Sequence, residues 1–298
     1  MAITPLLADA PRILALVRGT LPPAETAFWE RVRFALREMG YELLLTAHYW
    51  AQAPCDVPIL RARNGLDAVV PSDLRGWEAW MPDAPALAPA PYLEAETLWN
   101  GPAADDAAHA RRVAAIGFFV HFYAAMLRTA RPVCCLLWNG RHPQERILED
   151  LCRRAGCPVL YLERGPFPST LHVDTEGILA ASSIAKATTW TWEDPGEHSQ
   201  WLAQYDALAA AARSGGATWW AQPARTDPGR IRKRLGIASD EQVLLFAGQV
   251  DRDAQQLFFS PHFESNLAAF RWFQGALPEG RRLFLLGKHH PMSPAKPD

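Results

Sequence analysis

A chain of 298 residues, 49% hydrophobic and 21% charged, has the make-up of a globular protein with room for one large domain or two ordinary ones. Its formal net charge of -2 gives no overall positive field, which excludes a general nucleic-acid binder. Twelve Trp residues are many; their rings fill cores or stack on sugar faces.

Residues 12–17 are an apolar run ending near Gly19, the pattern of a buried parallel strand. The run is too short for a secretory signal and lacks its charged leader. A helix follows, with Phe28, Val32, Leu36 and Met39 on one face and Gly40 as its stop. Residues 41–46 resume a strand. The Pro-rich text over 82–91 reads as a surface loop. Helical spacing returns over 107–129 through Val113, Ile116, Val120, Tyr123 and Leu127, with His121 as a core or lining histidine or a ligand. The apolar part, 113–127, is interrupted by His121 and falls short of the roughly 20 residues that a bilayer requires, so a soluble, cytoplasmic protein is expected.

The next unit is sharper. Residues 133–138 form an apolar strand ending in Asn139-Gly140. Pro143 opens a helix with Ile147, Leu148, Leu151 and Cys152 on one face, and Gly156 closes it. Residues 158–162 are a second strand, followed at once by Glu163-Arg164-Gly165. Strand, helix and strand of these lengths predict a right-handed βαβ unit with a parallel sheet, and ligands bind beyond the carboxyl ends of such strands. The five cysteines suit a reducing compartment. Adjacent Cys134 and Cys135 point to opposite strand faces, and no C-x-x-C spacing or histidine cluster supports zinc, so buried free thiols are expected.

A domain boundary is expected within 214–227, around Gly215-Gly216, Pro223 and Pro228, giving lobes 1–220 and 221–298. Beyond it Asp227 caps a helix opened by Pro228 and carrying Ile231 and Leu235. Residues 242–247 read as a buried strand leading into Gln249–Asp253, and Ser260-Pro261 start a helix with Phe263, Leu267 and Phe270 on one face. Residues 282–286 form the last strand, leading into Gly287-Lys288-His289-His290-Pro291. This stretch is too short for a complete second Rossmann-like lobe.

Three strand ends carry candidate chemistry. The segment 162–178 gathers Glu163, Arg164, Asp174 and Glu176; a carboxylate at a strand end can act as general base or as nucleophile at an anomeric carbon, or can be ordinary surface charge. Gln249 and Asp253 are a type pair that binds ligand hydroxyls, or simply part of a βα loop. Lys288, His289 and His290 form a small cationic cluster suited to phosphate; paired histidines also bind metals, but no H-E-x-x-H pattern completes such a site.

In this order the three segments resemble the capsule polysaccharide biosynthesis family. The residues that carry the resemblance are LERG-x-x-P-x-T-x-x-x-D-x-x-G over 162–177, FAGQVDRDA over 246–254 and GKHHP over 287–291. It covers roughly 130–291. The family consists of β-Kdo transferases (Kdo is 3-deoxy-manno-octulosonic acid) with two Rossmann-like lobes in the GT-B arrangement and a donor held between them. The resemblance implies CMP-Kdo as donor, with no other cofactor and no metal. It implies a catalytic carboxylate at Glu163, with Asp174 as second candidate, and Lys288 and His290 near the CMP phosphate. Gln249 and Asp253 would line the interlobe cleft.

The resemblance further implies a lipid or oligosaccharide acceptor, capsule assembly proteins as partners, and work at the inner face of the inner membrane. Some relatives carry an aspartate where this chain has Arg164, and the family's C-terminal lobe continues beyond the His-Pro pair, so the second lobe is expected to be incomplete. That shortening motivates an alternative, a non-catalytic capsule assembly or export protein. A hydrolase or phosphatase using His289 and His290 is a third reading.

Overall fold

In a computed structural model the chain forms two compact units, Met1–Pro166 with Thr170–Trp190, and Phe167–Ser169 with Thr191–Asp298. The structure describes residues 10–17, 23–47, 59–61, 87–165, 167, 170–188, 195–213, 227–250, 253–260, 262–277 and 282–290. The expected boundary at 220/221 lies outside the described residues, as does Cys55.

Among the described residues the first unit holds six strands: β1 (Arg12–Val17), β2 (Glu42–Ala47), β3 (Ile59–Arg61), β4 (Cys134–Trp138), β5 (Val159–Arg164) and β6 (Leu171–Asp174). They form one sheet in the order β3-β2-β1-β4-β5-β6. The pairs β2–β3, β1–β2, β1–β4 and β4–β5 are parallel, and β6 closes the edge antiparallel to β5. The chain winds outward from β1 on one side and restarts at β4 on the other, the Rossmann-like order of an α/β protein. Central strands of such a sheet are covered on both faces, hence the unbroken apolar text of β1, buried from Ile13 to Val17.

Between these strands, among the described residues, run the helices α1 (Pro23–Glu38), α2 (Ala90–Asn100), α3 (Asp106–Ala130) and α4 (Pro143–Arg154). On α3, Ile116, Val120, Tyr123 and Leu127 are buried as their spacing predicts, whereas Val113 is 36% exposed and His121 half-buried. Asp105 caps this helix by accepting from the Ala108 N–H at 2.7 Å. The helix outruns the apolar stretch read from sequence. Over Asp106–Arg128, with mean hydropathy 1.2, it is long and apolar enough to cross a membrane by length and composition. Here its apolar residues pack with Leu14, Leu137 and Ile147 in the core of the unit. The predicted face of α4, Ile147, Leu148, Leu151 and Cys152, is buried in that same core.

Two expectations change. Of the expected Pro-rich loop, residues 82–86 lie outside the described residues, and Pro91 lies in the first turn of α2, where its missing N–H costs nothing. Tyr92 of that helix is buried and donates its hydroxyl to Asp150 on α4 at 2.6 Å. On α1 the packed face is set by Thr26, Phe28, Trp29 and Arg33, while Met39 sits in the turn beyond the helix, 62% exposed. Gly40 ends the helix as expected, with φ +83°.

Burying Arg33 requires a partner, and Glu42 at the start of β2 supplies it. Arg33 Nε stands 2.8 Å from Glu42 Oε1, and the guanidinium of Arg37 donates to Oε2 at 2.6 Å. The triple clasps α1 to the strand that follows it.

In the second unit, α6 (Pro195–Arg213) and α7 (Pro228–Arg234) precede a two-stranded parallel pair, β7 (Gln242–Ala247) and β8 (Leu283–Lys288). The pair is linked through α8 (Ala254–Phe259) and α9 (Asn266–Ala276), while α5 (Ser183–Lys186) belongs to the first unit. Asp227 caps α7 as predicted, accepting from the N–H groups of Gly229 and Arg230.

Three details of this unit differ from the sequence reading. Strand β7 was expected to be buried, yet Val243, Leu244 and Leu245 are 38%, 40% and 53% exposed. The helix expected from Ser260-Pro261 starts instead at Asn266, because Ser265 caps it by accepting from Ala268 N–H at 3.1 Å; Phe263 precedes the helix and Leu267 faces outward. Strand β8 runs through Gly287 and Lys288, which pair with Phe246 and Ala247.

Truncating one member of a buried ion cluster leaves the other charges uncompensated, at a cost of about 3–5 kcal/mol. Glu42→Ala should therefore lower the unfolding free energy from urea denaturation by that amount, while Met39→Ala should stay within about 0.5 kcal/mol of the parent.

Candidate functional site

The carboxyl edge of the six-stranded sheet gathers the polar groups of the first unit. Strand β4 ends in Asn139 and Gly140, both with positive φ, +75° and +73°. Asparagine tolerates this conformation, and at 140 only glycine fits, because a Cβ would lie 2.6 Å from the Tyr161 ring. The Asn139 N–H donates to Leu162 O at 3.0 Å, tying the end of β4 to β5. Asn139 Oδ1 is buried without a hydrogen-bond partner, as is Thr46 Oγ1 on β2.

Beyond Leu162 the structure departs from the expected loop. Residues 163 and 164 still belong to β5, and the chain returns as β6, with Glu163 opposite His172 and Tyr161 opposite Asp174. The hairpin has a steric key: Gly165 N–H donates to Thr170 O at 2.9 Å, and a Cβ at 165 would stand 2.9 Å from the Thr170 Cβ. Paired residues and alternate residues share a sheet face, so Tyr161, Glu163, His172 and Asp174 lie on one face.

These four side chains differ in their engagements. Tyr161 is buried; burial first, then its hydrogen bond with Glu149, pushes its hydroxyl pKa up. Asp174 is buried too, and its Oδ1 accepts from the N–H groups of Glu176 (2.7 Å) and Gly177 (3.1 Å). Its Oδ2 accepts from the Ser183 hydroxyl at 2.6 Å and the Ser183 N–H at 3.0 Å. Burial alone would raise its pKa, but these four bonds together hold it below the usual carboxylate range. Asp174 is thus the tie between β6 and the start of α5, with all its acceptor positions in structural use. Glu163 is half-buried at the edge, its Oε1 accepting from the Arg164 N–H at 2.8 Å. His172 stands 3.8 Å from Asp174 Oδ2 through Nε2.

The second unit carries its own cleft at the carboxyl ends of β7 and β8, about 210 Å³, lined by Phe246, Gly248, Asn266, Phe270, Lys288 and His289 among others. Asn266 ties it together: its Oδ1 accepts from Gln249 N–H at 2.9 Å and its Nδ2 donates to Gln249 O at 2.7 Å. A Cβ on Gly287 would stand 2.9 Å from the Phe270 ring, so glycine lets α9 pack against the strand. At about 210 Å³ the cleft is small beside the ~300–1,000 Å³ of typical ligand pockets.

Of the residues singled out from sequence, Glu163 and Asp174 fall in the first unit, and Gln249, Asp253, Lys288 and His290 in the second. Lys288 lines the cleft; so does His289, whereas His290 follows it, half-buried. Gln249 takes part through its backbone, and Asp253 caps α8 by accepting from Gln255 N–H at 2.9 Å. Sequence reasoning missed Asn266 and His172. Only the alternation of Leu171-His172-Val173-Asp174 could have revealed the second. Cys134, Cys135, Cys152 and Cys157 are free thiols. Among the described residues no group of three or more His, Cys, Asp and Glu side chains is placed to hold a metal ion.

No family model matches the chain, and no curated protein matches it. The capsule resemblance therefore stands on its motifs alone. Solved structures similar to parts of it include the glycosyltransferase VinC in complex with dTDP, at 12% identity and TM-score 0.27; the match spans 50% of this chain and a third of VinC. A tyrosyl-tRNA synthetase of Leishmania major matches at 13% identity and TM-score 0.31 over 56% of this chain and 28% of its own. UGT2 of Phytolacca americana matches at 13% identity and TM-score 0.27, over 93% of this chain and 72% of its own. At these scores the likenesses do not choose between sugar transfer and aminoacyl chemistry.

Because folding lowers the pKa of Asp174, its contribution to stability is present above the unfolded carboxylate value of about 3.9 and is lost as pH falls through the folded value. The stability gap between parent and Asp174→Asn, followed by urea denaturation, should be full at pH 7 and should shrink below about pH 4. A gap independent of pH would remove the carboxylate from this role.

Proposed function

We propose that the protein is a glycosyltransferase of capsule polysaccharide synthesis that moves Kdo from CMP-Kdo to a lipid or oligosaccharide acceptor. The observation that supports it most is Glu163: a half-buried carboxylate at the carboxyl edge of a Rossmann-like sheet, inside the segment that resembles the capsule family. Ligands of such sheets gather at that edge.

In this reading CMP departs with growing negative charge, which a cationic pair such as Lys288 and His289 is suited to stabilise. The anomeric carbon becomes oxocarbenium-like, and Glu163 attacks it, holding the sugar as a glycosyl ester before transfer. Asp174, committed to the turn it holds, is the weaker candidate for this task. Gln249, its backbone held by Asn266, and Asp253, which caps α8, would be further donor contacts in this reading. The acceptor, on lipid or oligosaccharide, would be met at the inner face of the inner membrane in company with capsule assembly proteins.

Calorimetric titration tests the donor assignment. CMP should bind in preference to UMP, UDP and GDP, and Lys288→Ala should weaken CMP about tenfold or more, since a hydrogen bond to a charged group contributes about 1.5–3 kcal/mol. Binding of no nucleotide, or equal binding of all, would sink the reading.

A further inference from the structure

Transfer through a glycosyl ester needs a second proton-handling group. While the ester exists, Glu163 is covalently engaged and cannot take a proton from the acceptor hydroxyl. Of the side chains that share its sheet face, Tyr161 is buried with its hydroxyl bonded to Glu149, and Asp174 has both oxygens filled by Ser183, Glu176 and Gly177. His172 differs from both. It lies directly opposite Glu163 in the hairpin register, its side chain is 24% exposed, and its buried Nε2 has no hydrogen-bond partner. That nitrogen is 3.8 Å from Asp174 Oδ2.

We propose that His172 is the general base of this site. The inference rests on the transferase reading above. A neutral imidazole has one ring nitrogen able to accept a proton. In the first step a Glu163 oxygen bonds to the anomeric carbon as the bond from that carbon to the CMP phosphate oxygen breaks, and CMP leaves with the electron pair. In the second, the acceptor oxygen bonds to the anomeric carbon and its proton passes to the His172 ring. The ester bond breaks, and its electron pair returns to the Glu163 carboxylate. His172 then gives up the proton to solvent.

The test separates the two steps in the full chain with CMP-Kdo and an oligosaccharide acceptor. The first turnover of CMP release should be as fast in His172→Gln as in the parent, with glycosyl-enzyme accumulating on Glu163 by intact mass. Steady-state transfer should fall about 10²-fold, the usual scale of a general base. Azide, a nucleophile with no proton to lose, should restore turnover of that variant. His172→Asn, a smaller substitution, should behave alike, and far-UV circular dichroism checks that both variants fold. Parent-like steady-state transfer in both variants would overturn the inference and leave the transferase reading intact. Loss of the first turnover along with the second, or no recovery with azide, would also overturn it. Absence of CMP release by the parent protein itself would overturn the transferase reading, and this inference with it.

Discussion

Strand β1 is buried on both faces and flanked by a strand on each side, and that burial governs the rest of the first unit. Its N–H and C=O groups have no water to meet, so they must find partners in β2 and β4. Parallel partners demand long crossover connections, and helices that supply them cover the sheet. Once the winding turns outward from β1 in both directions, every strand but the antiparallel β6 ends at the same edge. The residues that follow these ends, Asn139-Gly140 after β4 and Glu163-Arg164 at the end of β5, are gathered there by topology, although they are distant from β1 in sequence.

The hairpin at that edge shows how one short motif divides between architecture and chemistry. Gly165 is required by the approach of Thr170, and Gly177 by the approach of Ala181, whose Cβ would stand 2.9 Å from an added methyl at 177. Asp174 spends its carboxylate on four donors of the turn that follows it. The glycines, the threonine and the aspartate of the family-like pattern thus have structural duties. Glu163 and His172 stand opposite one another on one face of the hairpin.

The second unit is organised differently. Two parallel strands are an unusually small sheet, since parallel strands are ordinarily covered on both faces. Here consecutive apolar residues of β7 stay exposed. What holds the carboxyl ends together is local: the two hydrogen bonds of Asn266 to the Gln249 backbone, the Gly248 N–H donating to Lys288 O at 2.8 Å, and the glycine at 287 beneath Phe270. These contacts shape a cleft with Lys288 and His289 at its rim.

Much of this was legible in the sequence. The apolar runs of β1, β2, β4 and β5, the face of α4, the Asp227 cap and the turn glycines follow from local patterns, because burial periodicity, capping and positive φ are enforced within a few residues. Met39 and Val113 matched the helical period yet lie exposed, since periodicity names a face but not where the covering layer ends. Helix α2 was hidden by its prolines. Strand β6 was hidden by its brevity, and with it the pairing of His172 against Glu163. The sequence by itself determined which residues could form strands, helices and caps, and offered Glu163, Lys288 and the histidines as candidates. Which carboxylate stands at the edge and which is consumed in holding a turn was decided only by tertiary structure, because hydrogen bonds such as that from Ser183 to Asp174 are made by chain segments whose meeting no local pattern encodes.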